Sequence, residues 1–328
     1  MKKNMLAAAL VLTTAAWMST MTFAQELTQV DVVLDWYPNA IHSFLYEAAD
    51  AGYFEEEGLE VNLISPAESV DAVNFVAAGR AQIGLTYPVD VVTAQKEGMP
   101  VAALGAVAQG ALDCMCSLAE NDITEDLSSL AGKKIGHSGP ALMKAVVRTV
   151  TENAGLSEGD YEVMDVGFDL ITSLTTGNVD LIVGPFVNDE IVTMRNAGYD
   201  LNVFSQQDYG VPQLYGLVMA VNTEDYAERT DLYEGFVRAC RKGFDDIAAD
   251  KELAMDIIMN EMNSDDNPLD EAQQSESYDI LMPIMQTEEN AFLSMDAQVW
   301  QNVIDWMNEM ELVDGEIEAS AVMLEVQE

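Results

Sequence analysis

The feature that most constrains the fold is a regular alternation of short apolar runs with helical patterns. Apolar runs at 30–34, 59–64 and 83–85 indicate strands, and the second of them alternates apolar and polar residues. Between them, residues 43–51 and 69–78 carry apolar side chains at helical spacing. Strands that alternate with helices in this way are typical of an α/β fold with a parallel sheet.

The alternation starts a second time at residue 134. The second set comprises strands at 134–136, 161–166 and 181–184 and helices at 140–153 and 169–175. Two such sets in a chain of 328 residues predict two lobes of similar construction, each with its own core.

The boundaries of the lobes follow from where each set begins and ends. We expect residues 25–111 and 217–328 to form lobe 1 and residues 112–216 to form lobe 2. The chain then crosses between the lobes twice, near 101–111 and 215–221. The acidic helical segment after residue 222 is predicted to cover lobe 1.

The first 24 residues have the pattern of a secretory signal peptide. Lys2 and Lys3 precede an apolar run at 5–17, and Thr22 and Ala24 are small residues placed for cleavage. We therefore expect residues 1–24 to be removed and the mature chain to be extracytoplasmic. No cysteine follows closely enough to carry a lipid anchor, which favours the periplasm. No later apolar run approaches the ~18–20 residues that a helix needs to span a bilayer.

The charge of the chain excludes some partners. Asp and Glu number 57 against 14 Lys and Arg, which gives a formal net charge of −43. Such a chain repels phosphate backbones, so we expect no nucleic-acid partner. The cysteines Cys114, Cys116 and Cys240 lack the ligand spacing of a metal site, so we expect no metal. They are predicted to pack in the core, with a long-range bridge to Cys240 left open.

The common catalytic motifs are absent from the sequence. There is no nucleophile elbow, P-loop, zinc-protease motif or glycine-rich dinucleotide motif. His42 and His137 are the only histidines, and neither has local support for a catalytic triad. With 57 carboxylates, a glycosidase-like pair would arise by chance. The sequence therefore predicts a binding protein without a cofactor rather than an enzyme.

Polar and aromatic residues follow five of the predicted strands, at the carboxyl ends where open α/β sheets bind ligands. The five segments are 35–42, 86–90, 136–140, 166–169 and 184–190. Taken singly, an aromatic residue at a strand end more often packs than binds, and Asp90 or Asp169 is more often a helix cap. Together they predict one cleft for a flat, neutral or weakly cationic heterocycle, with Asp35, Asp90, Asp169 and Glu190 facing it.

These segments resemble the thiamine-precursor, or pyrimidine-binding, branch of the substrate-binding proteins of ABC importers. The matching pieces are Trp36-Tyr37-Pro38-Asn39, Gly52-Tyr53-Phe54, residues 78–84, 130–136 and 166–169, Asn188 with Glu190, and residues 208–212. They run in unbroken order from about residue 30 to residue 221. The first and last of them are the more selective, whereas the pieces at 52–54 and 132–134 occur in many importer receptors.

The resemblance implies a two-lobed type II periplasmic-binding fold with the ligand cleft between the lobes. It also implies a monomer that closes on its ligand and docks on ABC permease subunits in the membrane. The implied ligand is a pyrimidine such as hydroxymethylpyrimidine or its formylamino relative. Riboflavin, or a sulfonate held at the helix start near 138–140, is the alternative. The scarcity of Lys and Arg in the lobe 1 motifs argues against an anion.

The candidate site residues come from the matching segments. Trp36, Tyr87 and Phe186 are the expected ring contacts, and Asn39, Asn188 and Glu190 the expected contacts to the polar edge of a pyrimidine. The remaining candidates are His42, Asp90 and Phe168.

The same superfamily includes a eukaryotic pyrimidine-synthesising enzyme, which is a further alternative, and a secreted interaction protein without a small ligand is another. Its lysine position is Thr86 here, its histidine position is Asp90, and its cysteine-rich segment becomes residues 214–218, without cysteine. These departures argue against the enzyme. One departure also concerns a binding role, because a glutamate common in relatives after the valine-proline pair is Gly216 here.

Overall fold

The computed structural model describes residues 27–66, 71–138, 141–167 and 169–325, and it contains two five-stranded sheets. The first sheet comprises, in spatial order, β2 (Leu59–Ile64), β1 (Thr28–Val33), β3 (Ile83–Thr86), β10 (Leu217–Asn222) and β4 (Val101–Ala108). The second comprises β7 (Glu162–Asp165), β6 (Lys134–His137), β8 (Leu181–Phe186), β5 (Asp113–Leu118) and β9 (Leu201–Phe204). In each sheet one strand runs against its two neighbours: β10 in the first and β5 in the second.

Helices cover both sheets. Those between the strands are α1 (Ser43–Asp50), α2 (Tyr53–Glu56), α3 (Asp71–Ala77), α4 (Pro88–Lys96), α5 (Ala141–Asn153), α6 (Leu170–Thr175) and α7 (Glu190–Asn196). Those after β10 are α8 (Thr223–Glu228), α9 (Thr230–Ala249), α10 (Lys251–Ile257), α11 (Glu271–Met285), α12 (Ala297–Glu309) and α13 (Ala319–Val322). Short 3₁₀ turns occur at Ala40–His42, Ala119–Asn121, Leu127–Leu130 and Gln206–Tyr209, and a π turn at Ile258–Met262. No described helix is both long enough and apolar enough to cross a bilayer.

The sequence pattern explains the central elements. All eight residues of β4 are buried, as expected for a strand covered on both faces. In α9, the buried Phe236, Cys240, Phe244 and Ile247 recur every three or four residues, which places them on the face that packs against α1. Hydrophobic burial of this kind supplies about 25 cal/mol for each Å² of apolar surface removed from water.

The predicted strands and helices that lie in the described residues are present, with ends shifted by a few residues. Two strands were not predicted. In β5, the apolar run is only three residues long and lies between the polar Asp113 and Ser117, and β9 is short and includes Asn202. The predicted signal peptide at 1–24 lies outside the described residues.

The cysteines have no disulfide partner. Cys114 and Cys116 are buried in β5, Cys240 is buried in α9, and all three are free thiols. The bridge to Cys240 that the sequence left open is therefore wrong, and the prediction that these residues pack in the core is confirmed. Burial raises the pKa of all three thiols, so they stay protonated near neutral pH.

The sequence predicts that the helices after β10 cover lobe 1. In the structure, these helices contact lobe 2 as well. Helix α11 packs against α7 of lobe 2 as well as against the turn at Ala40–His42. On α12, the indole nitrogen Nε1 of Trp306 donates to Oγ1 of Thr149 on α5, at 3.0 Å. Two C-terminal helices therefore bridge the lobes.

The two crossovers lie in contact. The backbone N–H of Gly216 donates to the carbonyl of Ala108 at 3.0 Å. A Cβ atom added to Gly216 would lie 2.4 Å from the carbonyl oxygen of Gly110, so no side chain fits at this position. The glutamate that relatives carry here would not fit this crossing. The residue boundaries of the lobes stay a prediction.

Candidate functional site

The segments predicted to line the cleft follow or end strands of both sheets. The segment 35–42 follows β1, Tyr87 follows β3, and residues 186–190 end β8 and begin α7. The rings of Tyr87 and Phe186, one from each lobe, meet edge to face with centroids 6.4 Å apart. The structure therefore brings the first, second and last of the five predicted segments together.

Asp35 lies at the centre of the lobe 1 side. Its Oδ1 atom is 2.9 Å from Nε2 of His42, and its Oδ2 atom accepts from the hydroxyl of Tyr87 at 3.1 Å. Nδ1 of His42 accepts from the backbone N–H of Asn39 at 3.2 Å. The imidazole proton must therefore sit on Nε2, where it is donated to Asp35. The buried His42 has both ring nitrogens bonded within the protein and holds Asp35 in place.

Asn39 shapes the turn that carries His42. Its Oδ1 atom accepts from the backbone N–H of Ile41 at 3.2 Å, and its Nδ2 atom donates to the carbonyl of Tyr37 at 3.1 Å. These bonds cap the short helix that begins at Ala40. Beside it, Trp36 is 37% exposed and packs edge to face on Tyr37, so an aromatic surface faces the solvent at this end of β1.

Asp90 is placed by the first turn of α4. Pro88 begins this helix, and the hydroxyl of Thr86 donates to Oδ2 of Asp90 at 3.0 Å. Burial raises the pKa of Asp90 to about 6, while the hydrogen bonds from Thr86 and from the backbone of Tyr87 act against this rise. The position that is histidine in the enzyme relatives is therefore a half-buried carboxyl group here.

The lobe 2 side is built by the start of α7. Oε2 of Glu190 accepts from the backbone N–H of Phe186 at 2.8 Å. Burial, and then the neighbouring charge of Asp189, raise the pKa of Glu190 to about 7, although the backbone N–H bonds lower it. The amide nitrogen Nδ2 of Asn188 donates to Oγ of Ser277 at 3.1 Å, and its Oδ1 atom is buried without a hydrogen bond within the described structure.

Three residues of α11 approach both sides of the cleft. Oε1 of Gln274 accepts from the backbone N–H of Ala40 at 2.9 Å. Nε2 of Gln273 donates to Oδ1 of Asp189 at 2.8 Å and to Oγ1 of Thr193 at 2.9 Å. Sequence reasoning missed these residues because the segment is rich in exposed carboxylates and follows no strand. Burial of Gln274 and Ser277 becomes visible only in the tertiary structure.

His137 belongs to the predicted segment 136–140, although the sequence did not make it a candidate site residue. It ends β6, it is 1% exposed, and its Nδ1 atom has no hydrogen-bond partner within the described residues. Burial lowers its pKa, which favours the neutral ring, although the nearby Asp165 acts in the opposite direction. Of the other predictions, Asp169 precedes α6, and Phe168 lies outside the described residues.

The cleft is acidic. Asp35, Asp90 and Asp113 all raise the pKa of Tyr87, together with the larger effect of its burial. In the described part of the chain, none of these carboxylates, nor Asp189 or Glu190, forms an ion pair with Lys or Arg. Such a set accepts N–H groups and disfavours an anion. Across the described ranges, no group of three or more metal-ligand side chains is present.

Comparison with known proteins places this geometry in a family. The family model described as "NMT1/THI5 like" matches residues 39–254. The formylaminopyrimidine-binding protein of Halalkalibacterium halodurans is 34% identical over 287 residues, which cover 87% of this chain and 86% of that protein. The chain belongs to the NMT1/THI5-like family.

Solved structures agree with this family's fold. The periplasmic aliphatic sulphonate binding protein SsuA from Escherichia coli superposes with a TM-score of 0.69. It is 13% identical, and the match covers 89% of this chain and 96% of that one. The predicted two-lobed periplasmic-binding fold is therefore confirmed.

Some of the curated relatives of this chain are named as enzymes. The 4-amino-5-hydroxymethyl-2-methylpyrimidine phosphate synthase of Aspergillus parasiticus is 28% identical over 156 residues, 48% of this chain and 45% of that protein. At the positions where the sequence departs from the enzyme, the structure has Thr86 bonded to Asp90 and a buried Tyr215 whose hydroxyl accepts from the backbone N–H of Asp296. The NMT1/THI5-like match ends at residue 254, before α11.

Proposed function

We propose that this chain is the solute-binding component of an ABC importer and that it binds an aminopyrimidine of the thiamine-precursor type in the interlobe cleft. The observation that carries the proposal is a pair of acceptors at the start of α7. They are the carboxyl group of Glu190 and, two residues earlier, the Oδ1 atom of Asn188, which has no hydrogen bond within the described structure. Both are acceptors, and an aminopyrimidine presents N–H donors along one edge. The named function of the Halalkalibacterium relative supports the same ligand class.

The remaining candidates have matching roles in this proposal. Trp36, Tyr87 and Phe186 offer ring faces and edges to a flat ligand, and Asp90 adds a further acceptor. Asn39 and His42 hold the loop and Asp35 in position. Phe168 is retained as a ring contact from the sequence alone. The ligand would be neutral or cationic, because the carboxylates of the cleft lack basic partners.

The mechanism follows from the two-lobed structure. Ligand contacts made by both lobes stabilise the form in which the lobes approach, so binding shifts the population towards closure. The closed protein would then dock as a monomer on the permease subunits, in the periplasm after removal of residues 1–24. In this proposal the protein catalyses no reaction, since the positions of the synthase's lysine and histidine carry Thr86 and Asp90.

Isothermal titration of residues 25–328 tests the ligand class. The panel comprises 4-amino-5-hydroxymethyl-2-methylpyrimidine, its formylamino relative, thiamine, riboflavin and an alkanesulfonate. We expect heat with a pyrimidine, and at pH 8, above the pKa of about 7 of Glu190, Glu190→Gln should weaken that binding by about 10- to 100-fold because a charged hydrogen bond is lost. Glu316→Gln, at an exposed glutamate, is the matched control and should bind as the unmodified chain does.

Two outcomes would contradict the proposal. Binding of the sulfonate or riboflavin in place of every pyrimidine would reassign the ligand. Formation of a pyrimidine from a pyridoxal compound and iron would make the chain an enzyme.

A further inference from the structure

Helix α11 contacts the binding segments of both lobes. On the lobe 1 side, Oε1 of Gln274 accepts a hydrogen bond from the backbone N–H of Ala40, at the start of the turn that carries His42. Through Gln273 and Ser277 the helix bonds to Asn188, Asp189 and Thr193 at the start of α7. All of these bonds are 2.8 to 3.1 Å long. The helix lies beyond the residues that the family model matches.

Among these contacts, the one between α11 and the side chain of Asn188 affects which ligand the protein can bind. An amide side chain presents donors on one side and an acceptor on the other, so its orientation decides what a ligand must offer. Here Nδ2 is engaged by Ser277, and Oδ1 is left buried and without a hydrogen bond in the described structure. A buried carbonyl oxygen without a donor is unfavourable, so a ligand N–H that reaches it gains more than it would elsewhere.

The surroundings fix this orientation from both ends. Asn188 is 4% exposed and Ser277 is 3% exposed, so water does not compete for the bond between them. The next residue, Asp189, is tied to Gln273, which limits how far the start of α7 can move from α11. Rotation of the Asn188 amide would break its bond to Ser277 unless the hydroxyl also turned.

We propose that Ser277 is a positioning residue that acts through Asn188 and makes the cleft selective for a ligand with an N–H donor at that point. This inference rests on the proposed function for the identity of the probe. It adds that α11, a segment outside the family match, takes part in specificity without touching the ligand.

The experiment pairs two ligands with three variants of residues 25–328. The ligands are 4-amino-5-hydroxymethyl-2-methylpyrimidine and the analogue that lacks the 4-amino group. Ser277→Ala should weaken the amino ligand about tenfold and change the binding of the analogue less than about twofold, because the analogue cannot use the oriented oxygen. Ser277→Thr, which keeps the hydroxyl, should restore most of the loss. Ser275→Ala, on the same helix, is the matched control.

An equal loss for both ligands, or no rescue by threonine, would overturn the positioning role, since a merely structural effect does not distinguish the ligands. A second measurement needs no ligand. The side-chain amide resonance of Asn188 in the ¹H–¹⁵N spectrum should shift in Ser277→Ala and not in Ser275→Ala. If the unmodified chain binds neither pyrimidine, the proposed function fails. The resonance then still decides, because an unmoved signal would overturn the contact with Ser277.

Discussion

Glu190 is a carboxyl group at a position that disfavours its charged form. Burial and the adjacent Asp189 raise its pKa to about 7, well above the ordinary value of 4.5. Between these two values the folded chain holds a proton that the unfolded chain has released. The free energy of unfolding therefore decreases as the pH rises from about 4.5 to about 7, and the loss is complete above that range.

The variant Glu190→Gln should remove this pH dependence, because glutamine carries no charge to desolvate. Relative to the unmodified chain, its free energy of unfolding should be similar at pH 4.5 and greater by about 1–3 kcal/mol at pH 8. Urea unfolding at both pH values measures the difference. Glu316→Gln is the control, and a Glu190→Gln effect that is equally large at pH 4.5 would show that the gain is not electrostatic.

For single residues, the sequence predicts which ones lie at the ends of strands. It does not predict which of them form hydrogen bonds with each other. Asp35 and Tyr87 are 52 positions apart, and Asn188 and Ser277 are 89 apart. Nothing in a local pattern joins residues at such separations. Motifs identify chemistry near one strand, whereas the contacts of α11 depend on how a later helix packs over two lobes.

Among the elements, the segment before β10 packs with its backbone close against the backbone of the crossing between β4 and β5. A Cβ atom on Gly216 would lie 2.4 Å from the Gly110 carbonyl oxygen and 2.8 Å from Cγ of Leu112. A Cβ atom on Gly110 would lie 3.8 Å from its nearest neighbour, in Ile284. The two glycines face each other, yet only one of them has no room.

Gly216→Ala should therefore lower the free energy of unfolding by about 2–3 kcal/mol or more, since backbone must move to admit the methyl group. Gly110→Ala is the matched control on the facing crossover, and it should lower the free energy of unfolding by less than about 1 kcal/mol. Thermal and urea unfolding of both variants make the comparison. Equal losses would mean that the crossing is looser than the distances indicate.

The elements themselves were largely predictable because each amphipathic or apolar run has the period of its own secondary structure. The exceptions, β5 and β9, are antiparallel neighbours at one edge of the second sheet, where β5 also pairs with β8. Their short polar-flanked sequences become strands through pairing, which tertiary structure alone supplies.

Over the whole molecule, charge is the least balanced property. The chain has a net charge of −43, and the described residues contain six Lys or Arg ion pairs with carboxylates. Most carboxylates therefore repel one another across the surface. Added salt reduces the screening length from about 30 Å at 0.01 M to about 3 Å at 1 M.

We expect the melting temperature to rise by roughly 5 °C or more between 0.01 M and 1 M NaCl at pH 8, because self-repulsion is screened. Differential scanning calorimetry of residues 25–328 measures this. Binding of a neutral pyrimidine over the same range should change little, which separates surface repulsion from the cleft. A melting temperature that is flat or falls with salt would contradict the argument.

Strand β10 has a consequence for the order in which the chain can fold. It lies between β3 and β4, so β4 has no neighbour in the first sheet until residues 217–222 are available. All five strands of the second sheet, by contrast, come from one continuous stretch between residues 113 and 204. A chain emerging from the ribosome or a membrane channel can complete the second sheet first, while the first waits for β10, the strand that joins β3 to β4. The first sheet thus stays incomplete until about two thirds of the chain has been delivered, whereas the second sheet can already be closed by then.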